Sequence, residues 1–274
     1  MTRHDSSRVW LVTGAGRGFG RRFAEAALAA GDRVVGTARR PEALDDLVAA
    51  HDGRLAVLPL DVADRAAVFA TVERAIEAFG RLDIVVNNAG YGLMGAVEEI
   101  TEEQARAQLD TNFFGALWVT QAVLPQLRKQ GSGHIVQISS VGGLGAIATM
   151  GLYAAGKWAL EGMSEALAQE VEPFGIKVTL VEPGGYATDW GTTSMRMAEY
   201  SPAYEPVRAK LFAEGADIEE GDPAKVAEAV LKLVDSENPP LRLLLGDAMY
   251  DGIFEMYEKR IQEWRSWENL GRAC

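Results

Sequence analysis

Short apolar runs and amphipathic stretches alternate along this chain almost from end to end. Val9–Thr13, Arg33–Thr37, Leu55–Leu60, Asp83–Val86, His134–Ile138, Lys177–Val181 and Leu241–Leu245 are brief and rich in Val, Ile and Leu. Runs of that length and character predict strands buried on both faces, as in a parallel sheet. Between them, apolar positions recur at helical spacing. Residues 19–30 form a helical pattern that stops at Gly31, and Pro41 starts a helix reaching about residue 50. Asp64 caps a helix through Phe79, closed by Gly80. Thr101 and Gln104 form a capping-box pattern that opens a helical region to Gln130, with a break near Asp110. Residues 152–172, Pro223 to about Val234, and an amphipathic stretch over 248–268 complete the helices. The stretch 184–221 reads as irregular; loops that long in a compact domain tend to be functional.

Strands alternating with helices predict a parallel sheet covered on both faces, a three-layer α/β/α single domain over 1–274. Seven strands joined by right-handed crossovers make it doubly wound, and ligands then bind beyond the carboxyl ends of the strands. Residues 185–221 are placed over such a site as a substrate-covering loop, and 247–274 as a helical extension.

Composition narrows the chemistry. The 274 residues are 48% hydrophobic, ample for one core, and carry a net charge of −12. That acidity argues against nucleic acid and anionic membrane as partners. No apolar run approaches the length of a membrane helix, and the polar start lacks the centre of a secretory signal, so the expected location is cytoplasmic. The only cysteine is Cys274, and His4, His51 and His134 are scattered. No metal site built on His or Cys, and no Cys or His nucleophile, is expected.

Directly after the first strand comes Thr13-Gly14-Ala15-Gly16-Arg17-Gly18-Phe19-Gly20, opening a helix. Glycines at that junction let the backbone approach a pyrophosphate at a helix amino terminus. The spacing of Gly14, Gly18 and Gly20 differs from the usual Gly-x-Gly-x-x-Gly, and a plain tight turn is the competing reading. An NAD site places an acid at the end of the second strand, whereas an NADP site wants arginine nearby. Here Thr37-Ala38 occupy the acid position and Arg39 and Arg40 follow, with Arg17 in the loop. Arg17 and Arg39 favour NADP over NAD; Arg40 reads equally well as a solvated residue.

Tyr153 and Lys157 stand four residues apart, on one helix face. A nearby ammonium favours phenolate, so such a tyrosine can exchange a proton near neutral pH. Ser140 lies thirteen residues upstream, with Ser139 as its competitor.

Together these residues resemble the short-chain dehydrogenase/reductase family, over roughly residues 9–245. The resemblance rests on Thr13-Gly-x-x-x-Gly-x-Gly20, Asn87-Asn88-Ala89-Gly90, Asn112, Ser140, Tyr153-x-x-x-Lys157 and Pro183-Gly184-x-x-x-Thr188. Length and motif form are similar to the dehydrogenase-type branch. Glu182-Pro183-Gly184 and the terminal helix are similar to members acting on hydroxysteroids, retinoids and other hydrophobic alcohols or ketones. The resemblance implies a Rossmann-type fold and reversible hydride transfer between NADP(H) and an alcohol/carbonyl pair. It implies Tyr153 as general acid/base and Lys157 lowering its pKa while holding the nicotinamide ribose. Ser140 would hydrogen-bond the substrate oxygen, and Asn112 would hold a water linking Lys157 to solvent. Asp61 and Val62 would meet the adenine, and Asn88, Ala89 and Gly90 would pass beside the cofactor. Pro183, Gly184 and Thr188 would frame the nicotinamide. Asn88 also reads as turn-forming, Asp61 as a helix cap and Asn112 as a cap at a helix break. Family members often carry a hydroxyl residue where Gly156 stands; its missing side chain is expected to give room at the cofactor or at a packed helix.

Tyr186, Trp190, Met195, Met197, Tyr200 and Tyr204 give the covering loop apolar character, which suggests a hydrophobic substrate or simply the packing of the loop itself. Phe113, Phe114, Leu117, Trp118 and Trp158 read as core or as a subunit interface; the resemblance implies a homodimer or homotetramer. Two other readings stay open: a dinucleotide-binding sensor or scaffold that has lost catalysis, and a sugar epimerase or dehydratase. The intact Asn112, Ser140, Tyr153 and Lys157 set argues against the first, and the short stretch after Pro183 against the second.

Overall fold

The seven apolar runs form one parallel sheet. In a computed structural model, which describes residues 7–188, 190–215 and 220–274, the strands are β1 (Val9–Thr13), β2 (Arg33–Ala38), β3 (Leu55–Pro59), β4 (Ile84–Asn87), β6 (Gly133–Ile138), β7 (Ile176–Pro183) and β9 (Arg242–Leu245). Two further strands, β5 (Leu93–Met94) and β8 (Arg196–Met197), pair outside the sheet. The sheet order is β3-β2-β1-β4-β6-β7-β9, so the winding reverses between β1 and β4. A crevice opens at such a reversal, beyond the carboxyl ends of the strands.

Alternation along each strand divides the core between the two faces. Trp10 and Val12 of β1 face α1 (Gly18–Ala29) and α8 (Pro223–Val234), in a cluster with Phe23, Leu28 and Val230. Val9 and Leu11 point the other way, toward α3 (Arg65–Phe79), α5 (Gly115–Gln130) and α6 (Gly151–Val171). The expected caps are in place. Asp64 accepts from Ala67 N at 3.0 Å, and Thr101 and Gln104 exchange bonds at the start of α4 (Glu102–Leu109). The break near Asp110 is a π-helical turn, Asp110–Phe114.

The stretch read as irregular is more ordered than the sequence suggests. It contains β8, a π turn at Trp190–Ser194 and the helix α7 (Glu205–Gly215). Its pattern hid the helix because α7 has no apolar stripe to bury. It is held instead by polar contacts: Arg208, 2% exposed, donates to Glu99 Oε1 at 2.9 Å and to Ser201 O at 2.6 Å. Ser201 N and Ala96 N donate to the same Glu99 carboxylate at 2.6 and 2.7 Å. Between β2 and β3 lies the short helix α2 (Asp45–Ala50), and after β9 come α9 (Asp247–Ser266) and α10 (Glu268–Arg272), neither of which buries a residue.

Candidate active site

A cleft of about 690 Å³ lies at the carboxyl ends of the strands. It is lined by Gly14, Gly16, Arg17, Gly18, Phe19, Arg39, Asp61, Val62, Asn88, Ala89, Gly90, Ser140, Tyr153, Lys157, Pro183, Gly184 and Thr188. Of the expected site residues, Gly20 and Asn112 stand outside that lining.

The glycine loop is shaped by close approach. Gly14 takes φ +67°, a left-handed conformation that suits glycine. Asn88 then clamps the loop, its side-chain amide donating to Thr13 O at 2.9 Å and Gly14 O at 3.3 Å. Thr13 Oγ1 accepts from Asn88 N and Ala89 N at 3.0 and 3.1 Å, tying β1 to β4 at the crevice. Gly20 lies behind the loop: a Cβ there would run into Gly14 O and stand 2.5 Å from Asn88 Nδ2. The first turn of α1 has no side-chain cap, because Arg17 at the N-cap makes no capping bond. Uncapped N–H groups at a glycine-walled cleft fit a phosphate group.

At the end of β2, Thr37 and Ala38 are buried and bring no carboxylate, while Arg39 and Arg40 line the cleft. Arg17 also reaches across to Thr193 at 3.4 Å. Asp61 does not cap α3; its carboxylate accepts from Ala63 N at 3.0 Å and shapes the turn at the end of β3.

α6 places Tyr153 and Lys157 on the cleft floor, both more than nine-tenths buried. Ser140 hydrogen-bonds the Tyr153 phenol, and its Oγ also accepts from Gly142 N at 3.1 Å. Lys157 Nζ donates to Ile138 O at 2.7 Å and stands 5.8 Å from the Tyr153 ring centre. Burial pushes the phenol up to about 12, against the opposing Ser140 bond. Burial also pushes Lys157 down to about 8, with the Glu161 charge opposing. Burial is thus the larger influence on the phenol in the cleft, and Tyr153 stands neutral there. Between the two serines, Ser140 is the one at the phenol. Ser139 Oγ is buried with no hydrogen-bond partner.

Asn112 sits in the π turn with its side chain committed. Its Oδ1 accepts from Tyr91 N at 3.0 Å and its Nδ2 donates to Tyr91 O at 2.8 Å. Gln108 adds a second donor to Tyr91 O at 3.1 Å. Tyr91, which lines the cleft, escaped the sequence reading; its position just after Asn88-Ala89-Gly90 was the available signal. Gly156 faces the π turn rather than the cleft, and a Cβ there would meet Leu109 and Asn112 at an ordinary 3.7 Å. An alanine would therefore fit at that position.

Of the covering loop's apolar residues, Tyr186 lines the cleft. Met197 and Tyr200 are exposed, and Tyr204 bonds Glu98 at 2.5 Å. The Trp190 side chain lies outside the described residues. α9 packs methionines on nearby glycines: Met249 lies over the cleft-lining Gly184, and Met256 over Gly145, each occupying the space a Cβ would need.

The family model for short chain dehydrogenases matches residues 8–199. The chain belongs to that family. A short-chain dehydrogenase from Streptomyces avermitilis of known structure superposes with a TM-score of 0.93 at 45% identity, covering 99% of each chain. The 3-ketodihydrosphingosine reductase of Bacteroides thetaiotaomicron is 39% identical over 244 residues, 87% of this chain and 88% of that protein. An alcohol dehydrogenase from Thermococcus sibiricus, solved with 5-hydroxy-NADP, is 25% identical with a TM-score of 0.74, covering 88% and 96% of the two chains. This family member is an oxidoreductase with a nicotinamide dinucleotide site. Among the described residues, no helix is long and apolar enough to cross a membrane.

Proposed function

We propose that this dehydrogenase-family protein interconverts a hydrophobic ketone and its alcohol with NADP(H), Tyr153 handling the proton. The Tyr153–Ser140 hydrogen bond on the cleft floor, beside the glycine loop, carries the reading. The cofactor, when bound, supplies hydride to the carbonyl carbon or accepts it from the alcohol carbon. In reduction, Ser140 holds the substrate oxygen and Tyr153, a neutral phenol, donates its proton to it. Lys157, fixed by Ile138 O, places a positive charge beneath the phenolate that forms. Asn112 keeps Tyr91 and the adjoining cleft wall in place through its paired bonds.

The preference for NADP rests on Thr37-Ala38 and on Arg39 and Arg17 in the cleft wall, which suit a ribose phosphate better than two ribose hydroxyls. A hydrophobic substrate is supported by Tyr186 in the cleft lining, by Met249 packed over Gly184 and by the sphingoid ketone named for the Bacteroides relative. The half-buried Phe114–Trp118 stack and the exposed Trp158 on α6 suit contact with a second copy.

Tyr153→Phe tests the central role. It is expected to lower NADPH oxidation with a hydrophobic ketone by about 10²–10⁴-fold, while NADPH still quenches protein fluorescence on binding. A fully active variant overturns the assignment, and wild-type protein silent across a broad carbonyl panel favours a sensor.

A further inference from the structure

Behind the cleft floor lies a buried carboxyl pair that the hydride chemistry above does not use. Glu161 stands one helical turn after Lys157 on α6, and Glu182 faces it from β7, just before Pro183. Their side chains are 8% and 3% exposed. The carboxyls lie within hydrogen-bonding distance of each other. Arg242 from β9 donates Nε to Glu161 Oε2 at 2.9 Å, while that nitrogen is 3.6 Å from Glu182 Oε1. Its Nη2 turns outward to Glu165 at 2.7 Å. Among the described residues, no hydrogen-bond donor reaches Glu161 Oε1 or Glu182 Oε1.

Two buried carboxyls in contact, each with an oxygen that lacks a donor, are costly unless one carries a proton. A single proton held between the two carboxyls removes their repulsion. The charge count agrees: Arg242 is the cation in direct contact with the pair, so two full negative charges would leave one uncompensated. Glu161 also approaches the cleft wall. An atom added at Gly143 would meet Ser139 Oγ at 2.7 Å and Glu161 Oε1 at 3.2 Å, so the carboxyl and the serine beside Ser140 flank one spot.

We propose that Glu161 and Glu182 share one proton and act as a positioning pair behind Lys157, fixing α6 against β7 and setting the negative charge that Lys157 meets from below. This rests on the catalytic reading of Lys157. The charged groups around the pair are Lys157 and Glu165 from α6 and Arg242 from β9; Ser139 and Ser164 add buried hydroxyls without partners. Burial, followed by the Glu161 charge, pushes Glu182 up to about 8 against Arg242, and Lys157 is held down near the same value. When the shared proton leaves in mildly alkaline solution, the pair gains its second negative charge. Lys157 then keeps its own proton to higher pH, which extends the range in which the phenolate of Tyr153 has a cation beside it.

The test uses the full chain. Infrared difference spectra of wild type between neutral and alkaline pH are expected to show the carbonyl stretch of a protonated carboxyl, lost as pH rises and missing in both Glu161→Gln and Glu182→Gln. Glu182→Leu leaves Glu161 Oε1 without a donor and is expected to lower kcat at neutral pH by about tenfold, as the unsatisfied carboxylate shifts and Lys157 loses its fixed neighbour. Glu182→Gln, whose amide can donate to that oxygen, is expected to recover most of that loss. It should also move the alkaline limb of the kcat profile about one pH unit toward acid, because its pair cannot gain a second charge. A spectrum without the band, or one unchanged in both glutamine variants, overturns the shared proton. An alkaline limb that stays put in Glu182→Gln overturns the link to Lys157. The band is read without turnover, so an inactive wild type that shows it would count against the proposed reaction and not against the pair.

Discussion

Replacing Gly20 with alanine should damage the protein although the position lies outside the cleft lining. The added Cβ would overlap Gly14 O and stand 2.5 Å from Asn88 Nδ2. Neither neighbour is a flexible chain end. One is loop backbone, and the other is the amide whose bonds to Thr13 O and Gly14 O close the loop. Overpacking of this kind costs about 1–3 kcal/mol, and loosening the clamp loses about 1 kcal/mol more per bond. Alanine's better helix propensity in α1 returns about 1 kcal/mol. With both clamp bonds loosened, the net is a loss of about 2–4 kcal/mol, or about 4–16 °C in melting temperature for a chain of this size. The loop must move by a fraction of an ångström or more, so NADPH affinity should fall by about 10–100-fold. Thermal unfolding and a fluorescence titration with NADPH measure both. Gly162→Ala is the control, since a Cβ there meets nothing within 4 Å and α6 should gain about 0.5–1 kcal/mol. If Gly20→Ala melts no lower than wild type and binds NADPH equally well, the close-approach reasoning is wrong.

Three other expectations follow from named contacts. Arg39→Ala should weaken NADPH by about 10–100-fold, the worth of charge-assisted bonds to a phosphate, and leave NADH unchanged; equal weakening of both would remove Arg39 as the discriminating residue. His134 is buried against Thr179 at 2.9 Å, and burial, aided by the Lys177 and Arg8 charges, pushes it down to about 4. The folded state resists the proton that the unfolded chain accepts below about 6.5, so stability is full above that pH and declines toward pH 4. The decline amounts to up to about 3 kcal/mol, and urea midpoints across this window should flatten in His134→Gln. Arg208→Met should free α7 from Glu99 and Ser201, raising KM for a hydrophobic ketone about tenfold or more with less effect on kcat; hydrogen exchange should rise in α7 while the sheet is untouched.

The sheet was readable in advance because each of its strands is a continuous apolar run, and a strand buried on both faces has no other pattern available. Thr13, Asn88 and the glycines were readable because the crevice demands particular backbone shapes at fixed places in the chain. α7 was not, since Arg208 and Glu99 are far apart in sequence and an ion pair leaves no periodic trace. The Glu161–Glu182 pair was hidden for the same reason: α6 and β7 must first pack before either carboxyl meets the other. How Lys157 is anchored also escaped, because the four-residue spacing of Tyr153 and Lys157 says nothing of Ile138 O, which accepts the ammonium's hydrogen bond.

Met249 packs over Gly184, yet it sits far along the chain from the other residues beside it. Ser140, Tyr153 and Lys157 fall within the stretch that the family model recognises, residues 8–199, whereas Met249 belongs to α9, beyond it. α9 buries nothing fully. Changes in that helix can therefore accumulate at little cost to the core, and the covering over Gly184 can be rewritten in a later passage of the polypeptide than the one that carries the proposed reacting groups.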